Sequence, residues 1–258
     1  MRHGLWLAPF GQLADPVLLV DLARRAEASR WHGVFLWDHV EYGSPATPIA
    51  DPWVALAAIA AGTKSIQIGT LVTPVPRRRV YKLARETATL DRLSGGRLVL
   101  GVGLGSGSIA EFDRHEAPTD IQERARSLDA GLDRITRCWS GDYQPVPVQR
   151  PRIPIWVGSE WPHRQPLRRA ARWDGWFPVG ILNPDDLDIG IAELQRHRPA
   201  NRHNEFEVIA SGEQGDDPRP YQQAGATWWL TGFGPNPRAA LVRSVIDTGP
   251  WPAETVSS

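Results

Sequence analysis

The residues with chemistry to offer stand just after short apolar runs. The run Gly33 to Trp37 leads into Asp38 and His39, and two-residue alternation puts Phe35, Trp37 and His39 on one face of an extended segment, with Asp38 on the other. A histidine at the end of such a run suits proton transfer near neutral pH, and a ring that anchors or caps a loop is its other role. Because alternation separates Asp38 from the imidazole, the two are read independently. No histidine falls in a metal-ligand pattern such as a pair four apart with an adjacent glutamate. A metal-dependent hydrolase would therefore rest on Asp38 and His39 alone.

Other stretches suit ligands rather than proton transfer. In Gly69-Thr70-Leu71-Val72-Thr73-Pro74 the proline stops an extended run, and Arg77, Arg78 and Arg79 follow. Taken alone they suggest an anion site, whereas arginines at a helix start are ordinarily solvated or paired. From Gly101 to Gly107 every second residue is glycine, which lets backbone approach a ligand closely. This run is neither a dinucleotide fingerprint, lacking the sixth-position glycine, nor a phosphate-binding P-loop, since no lysine follows it. Gly158 and Ser159 are read as a turn opening a helix over Arg164 to Arg172, either a phosphate cradle of backbone N–H groups and a hydroxyl or a plain tight turn. In Trp228-Trp229 alternation sends one ring inward and one toward the helices. Trp37 and Trp229 are candidates for a pocket wall.

Eight apolar runs position these residues: Leu5 to Ala8, Gly33 to Trp37, Ile66 to Val72, Leu98 to Val102, Ile155 to Val157, Gly175 to Pro178, Phe206 to Ala210 and Thr227 to Thr231. Amphipathic stretches separate them. Asp15-Pro16, Asp51-Pro52, Asn183-Pro184 and Asn236-Pro237 read as helix starts, and Gly62, Gly95, Gly141 and Gly249 as helix stops. Strands alternating with helices pair in parallel, and the count favours closure into a (β/α)8 TIM barrel with short mouth loops over an open sheet. The expected layout is one barrel domain over 1–247 and a tail over 248–258. The seventh unit is the thinnest, with Gly212 to Gln223 holding both a loop and a short helix. In such a barrel the C-terminal ends of the strands carry the chemistry.

Composition excludes more than it selects. In 258 residues, 29 basic and 29 acidic side chains cancel, so no electrostatic footprint for nucleic acid or an anionic membrane surface exists. Cys138 is the single cysteine, which removes internal disulfides and argues for a reducing compartment. With no signal-like start and no apolar run of spanning length, a cytoplasmic protein is expected. The 12 tryptophans suit either an aromatic core or a pocket for a flat ring.

Taken together, Trp37-Asp38-His39, the Gly69 to Pro74 run, Ala88 to Arg97 leading into Leu100 to Gly103, Pro154 to Gly158 and Ala224 to Leu230 resemble the bacterial luciferase-like superfamily of flavin- and deazaflavin-dependent oxidoreductases. The resemblance implies FMN or coenzyme F420, an 8-hydroxy-5-deazaflavin, in the barrel mouth. It implies His39 as general acid or base and Asp38, Thr70, Leu71, Gly103, Gly105, Ser106, Gly158 and Ser159 as the cofactor-binding set, the phosphate lying near Gly158 and Ser159. A non-proline cis peptide is expected at Thr70–Leu71. Several deazaflavin-dependent relatives carry a carboxylate soon after the fourth-strand glycines, where this chain has Ser106 and Ser108 before Glu111. The carboxylate partner is therefore unassigned. The implied reaction is hydride exchange with a small organic substrate, or oxygen activation by reduced FMN, in a protein that resembles homodimeric relatives. The alternative is a ligand-binding barrel that has lost the chemistry.

Overall fold

The apolar runs are eight parallel strands of one closed barrel, each hydrogen-bonded to the next, with the eighth returning to the first. The computed structural model describes residues 1–43, 47–105, 111–112, 120–181, 183–198 and 206–250. In chain order the elements are β1 (Arg2–Leu7), α1 (Pro16–Ala28), β2 (Gly33–Leu36), α2 (Pro52–Gly62), β3 (Gln67–Pro74), α3 (Val80–Ser94), β4 (Leu98–Gly103) and α4 (Ile121–Arg137). They continue as β5 (Ile155–Glu160), α5 (Gln165–Ala170), β6 (Gly175–Val179), α6 (Pro184–His197), β7 (Glu207–Glu213), α7 (Arg219–Gln223), β8 (Trp228–Gly232) and α8 (Ala239–Thr248). Closure runs from Arg2 opposite Trp228 to Trp6 opposite Gly232. The seventh unit is thin, as its sequence predicts.

Local chemistry explains most helix ends. Asp15 accepts from the Val17 amide, Asp51 from those of Trp53 and Val54, and Asn183 from that of Asp186, each with proline at the first helical position. Asn236-Pro237 does not start a helix: α8 begins at Ala239 after Arg238, which makes no side-chain cap. Gly95 ends α3 in the left-handed conformation at φ 68°. Gly62 is instead the last residue of α2, and Gly141 lies inside a π turn, Cys138–Asp142, that prolongs α4.

The lumen is filled unevenly. Toward the N-terminal ends of the strands, Phe35 lies 5.2 Å from Trp156 and 5.6 Å from Trp228, and the two tryptophans are 5.5 Å apart. These rings form an aromatic floor with Phe177 and Ile209. A Cβ on Gly175 would stand 2.5 Å from the Trp156 ring, so even the bare backbone there is covered. The second core lies between strands and helices, where Leu, Val and Ala side chains of both layers meet.

This layering corrects one expectation. Trp229 is not a pocket wall: it faces outward beneath α7, 5.1 Å from Tyr221. Trp228 does face inward, but at the floor, with the Arg2 guanidinium 4.7 Å over its ring.

A second correction concerns β3. Its register against β4 shifts between Thr70 and Thr73, so that Leu71 and Val72 together oppose the single residue Gly101. The non-proline cis peptide falls at Leu71–Val72 rather than at Thr70–Leu71. Leu71 and Val72 both contribute to the inner cluster, while Thr70 and Thr73 turn their hydroxyls to the outer face.

Candidate active site

At the C-terminal ends of the strands an aromatic wall surrounds one imidazole. Trp6 on β1 reaches across the lumen, its indole N–H donating to the Leu71 carbonyl at 2.8 Å. Trp37 continues the inner face of β2, 4.9 Å from Trp6, and His39 lies 6.0 Å beyond it. Phe10, which follows β1, sits 5.8 Å from the His39 ring, and Tyr42 sits 5.3 Å from it. The indole N–H of Trp37 is buried without a partner among the described residues. A buried orphan donor is costly, and a ligand with acceptor atoms would satisfy it.

The carboxylate left unassigned by the sequence is Glu111. Its side chain is 1% exposed, and its Oε2 lies 3.1 Å from Nδ1 of His39. Oε1 accepts the amides of Val40 and Glu41 at 2.6 and 3.0 Å, so Glu111 fixes the backbone after His39 as well as its ring. Burial alone would raise this carboxyl above the usual range. The His39 hydrogen bond, the Glu41 amide and the Arg77 charge outweigh burial and hold it below that range. A carboxylate accepts only, so Nδ1 carries the proton of a neutral His39 and Nε2 becomes the basic nitrogen.

Asp38 points away from His39, as alternation requires, and is also 1% exposed. Its Oδ1 accepts from Arg77 at 2.6 Å and Arg78 at 2.5 Å, and its Oδ2 accepts from Thr73 at 2.7 Å. Thr73 lies 2.9 Å from Thr70, whose hydroxyl donates to the Gly101 carbonyl at 3.2 Å. The arginine run is therefore paired rather than an open anion site. The side chains of Asp38 and Thr70, both in the expected cofactor set, hydrogen-bond within a buried network beneath the mouth. Such a network stabilises only when both charges are well bonded, and removing one partner typically costs about 3–5 kcal/mol.

Glycines make room for Val72 in the upper lumen. Gly103 on β4 and Gly158 on β5 both face Val72, where an added Cβ would meet its methyls at 2.7 and 2.6 Å. Gly158 and Ser159 lie within β5, not in a turn. Ser159 faces outward and accepts the Trp176 indole N–H at 2.8 Å. The helix after them, α5, starts at Gln165 and is short. Gly105 has φ 81° and is covered by Phe112, 2.4 Å from where its Cβ would stand. Ser106 lies outside the described residues. The expected cofactor set thus divides: Leu71, Gly103 and Gly158 border the lumen, while Asp38, Thr70, Gly105 and Ser159 support it from behind.

Comparison with known proteins agrees with the fold. The sequence profile of the family described as luciferase-like monooxygenase matches residues 5–213. The oxygenase component of a flavin-dependent trigonelline monooxygenase from Acinetobacter baylyi is 28% identical over 159 residues, 56% of this chain and 43% of that protein. An uncharacterized protein of Mycobacterium tuberculosis is 27% identical over 257 residues, covering 86% of each chain. The first curated relatives are thus matched over only about half of their own length. Among solved structures, an F420-dependent secondary alcohol dehydrogenase in complex with an F420–acetone adduct superposes with a TM-score of 0.77 at 16% identity, covering 96% of this chain and 97% of that one. The F420-dependent tetrahydromethanopterin reductase of Methanopyrus kandleri gives 0.71 at 16% identity, covering 95% and 97%. At these identities the structural likeness is one of fold.

Proposed function

Because the chain belongs to the luciferase-like monooxygenase family of flavin- and deazaflavin-dependent oxidoreductases, we propose that it is a two-electron oxidoreductase acting on a small organic substrate. The observation that carries this reading is the contact between His39 and Glu111 at the mouth. The contact supports a proton-handling role for His39 at the strand ends where barrels of this kind carry their chemistry, a role for which a barrel that had merely kept the fold would need no buried carboxylate.

The residues present suit a flat ring with polar edges. Trp6, Trp37 and Phe10 exclude water, and the orphan indole N–H of Trp37 offers a donor. Leu71, Gly103 and Gly158 would border the ring, and the backbone at Gly158 and Ser159 would lie toward its phosphate tail. When bound, FMN or coenzyme F420 supplies the two-electron chemistry. His39 holds or gives up a proton at Nε2, next to a substrate oxygen, while Glu111 keeps its other nitrogen protonated. A substrate alcohol or carbonyl changes its proton inventory on hydride exchange, so this couple favours that reaction. Oxygen activation by reduced FMN is the second reading, supported by the monooxygenase names of sequence relatives.

Titrating the purified protein with oxidised and reduced FMN and with F420 tests the proposal. Tight binding of F420 selects hydride exchange, and tight binding of reduced FMN alone selects oxygenation. Failure to bind either one overturns the enzyme reading in favour of a ligand-binding barrel. We also infer a cytoplasmic homodimer. Among the described residues no helix is long and apolar enough to cross a membrane, and α2, apolar around its circumference, leaves Val54 exposed for a partner.

A further inference from the structure

Arg77 contributes to the mouth without facing it. Its guanidinium is 5% exposed and spans two carboxylates. Nη2 donates to Oδ1 of Asp38 at 2.6 Å and to the Asp38 carbonyl at 3.0 Å. Nη1 lies 2.9 Å from Oε2 of Glu111, the same oxygen that meets His39, as an ion pair without hydrogen-bond alignment. Its neighbour Arg78 binds Asp38 and, among the described residues, makes no ion pair with Glu111. Among the described residues, only Arg77 of the two pairs with the carboxylate that orients His39.

We propose that Arg77 is a positioning residue for the His39–Glu111 couple, its guanidinium tying Glu111 to the anchored Asp38 so that Glu111 presents a carboxylate to Nδ1 of His39. This rests on the oxidoreductase reading for its purpose, though not for its measurement.

The argument is one of charge in a closed space. The Glu111 side chain is almost wholly buried, so its ionised form survives only with donors around it. Among the described residues, the groups that face it are the amides of Val40 and Glu41 from the loop after β2, Nδ1 of His39, and the Arg77 charge from the turn after β3, which forms an ion pair with it and no hydrogen bond. Of these, Arg77 alone carries a permanent charge. The other side of the His39 ring meets Phe10, Trp37 and Tyr42, and those rings bring no charge at neutral pH. Asp38 in turn keeps Arg77 in place: Arg78 and Thr73 bind the same carboxylate, so the guanidinium sits against a fixed anchor.

Without Arg77, burial drives Glu111 toward its protonated form. A carboxylic acid then donates to His39 instead of accepting from it. The neutral ring responds by moving its proton from Nδ1 to Nε2, which removes the base from the side open to substrate.

The tautomer can be read without cofactor, by ¹⁵N NMR of the ring nitrogens of the full chain, with the His39 signals assigned through His39→Gln. In the parent protein Nδ1–H is expected as the major neutral form. Arg77→Met is expected to lose that form in favour of Nε2–H. Arg77→Lys, which keeps the charge but not the fork, should restore part of it, and Arg78→Met should leave it as in the parent. A parent ring carrying Nε2–H, or an unchanged tautomer in a folded Arg77→Met, overturns the proposal. So does an equal shift in Arg78→Met, since that marks general loosening of the network. If Arg77→Met does not fold, the comparison of Arg77→Lys with Arg78→Met decides: a shift confined to the first supports the role, and equal spectra refute it. A protein that shows these tautomers yet binds neither FMN nor F420 keeps the Arg77 assignment and loses the oxidoreductase reading.

Discussion

The two ends of one barrel lumen, built from the same eight strands, are finished in opposite ways. At the floor Phe35, Trp156 and Trp228 close on one another, and the nearby glycine at 175 is bare because a tryptophan ring already occupies the space a side chain would need. At the mouth Gly103 and Gly158 make room for an aliphatic side chain, Val72, aromatic rings stand around the lumen, and charges are sunk behind them in the Asp38–Arg77–Glu111 chain. The floor gains stability by removing apolar area from water. The mouth gives up some of that gain to hold an imidazole in one orientation. Tryptophan abundance belongs mainly to the first task.

Three measurements can break or sharpen this contrast. The largest effect is expected from His39→Ala, which should slow turnover with the cognate cofactor about 10²- to 10⁴-fold, the usual share of general acid–base catalysis. The same variant should leave cofactor affinity nearly unchanged but destabilise the fold, because it takes a partner from the buried Glu111 carboxylate; full activity would remove His39 from the chemistry. Next is Trp228→Ala, expected to cost about 3–5 kcal/mol in urea unfolding, as for other fully buried tryptophans. Cofactor affinity of the folded fraction should persist, and a loss of binding as large as the loss of stability would show that floor and mouth are not separate. The smallest concerns His3, at the start of β1, whose pKa is pulled down to about 4, by burial first and then by the charge of His32. As pH falls from about 6.5 toward 4, the unfolded chain takes up a proton that folded His3 refuses, so stability declines across that window. His3→Gln should flatten this part of the Tm-against-pH curve.

The barrel was legible because each local signal agreed with the others. Asp15, Asp51 and Asn183 cap helices where their proline partners say they should, and the strands fall on the apolar runs. Asn236-Pro237 has the same spelling without a helix behind it. The site was legible only in part. Alternation placed Trp37 and His39 inward and Asp38 outward, but it could not tell which of two adjacent tryptophans faces the lumen when both fit a strand. Nor could it show that the inward one, Trp228, lies at the floor. Glu111 escaped because contact between residues 39 and 111 is set by barrel closure rather than by spacing along the chain. The one available signal was that it is the first carboxylate after the β4 glycines. The cis peptide falls one residue later than expected, within the irregular stretch where β3 carries an extra residue between Thr70 and Thr73.

That extra residue has a wider meaning. A strand that ran through the barrel in unbroken alternation would bind the facing of every mouth residue to that of every floor residue, and any insertion at one end would invert the other. By taking up an odd residue between Thr70 and Thr73, β3 lets its two halves keep independent phase. Substrate preference can then be recut at the top of this strand by changes in chain length as well as by substitution, while the aromatic base below stays in frame.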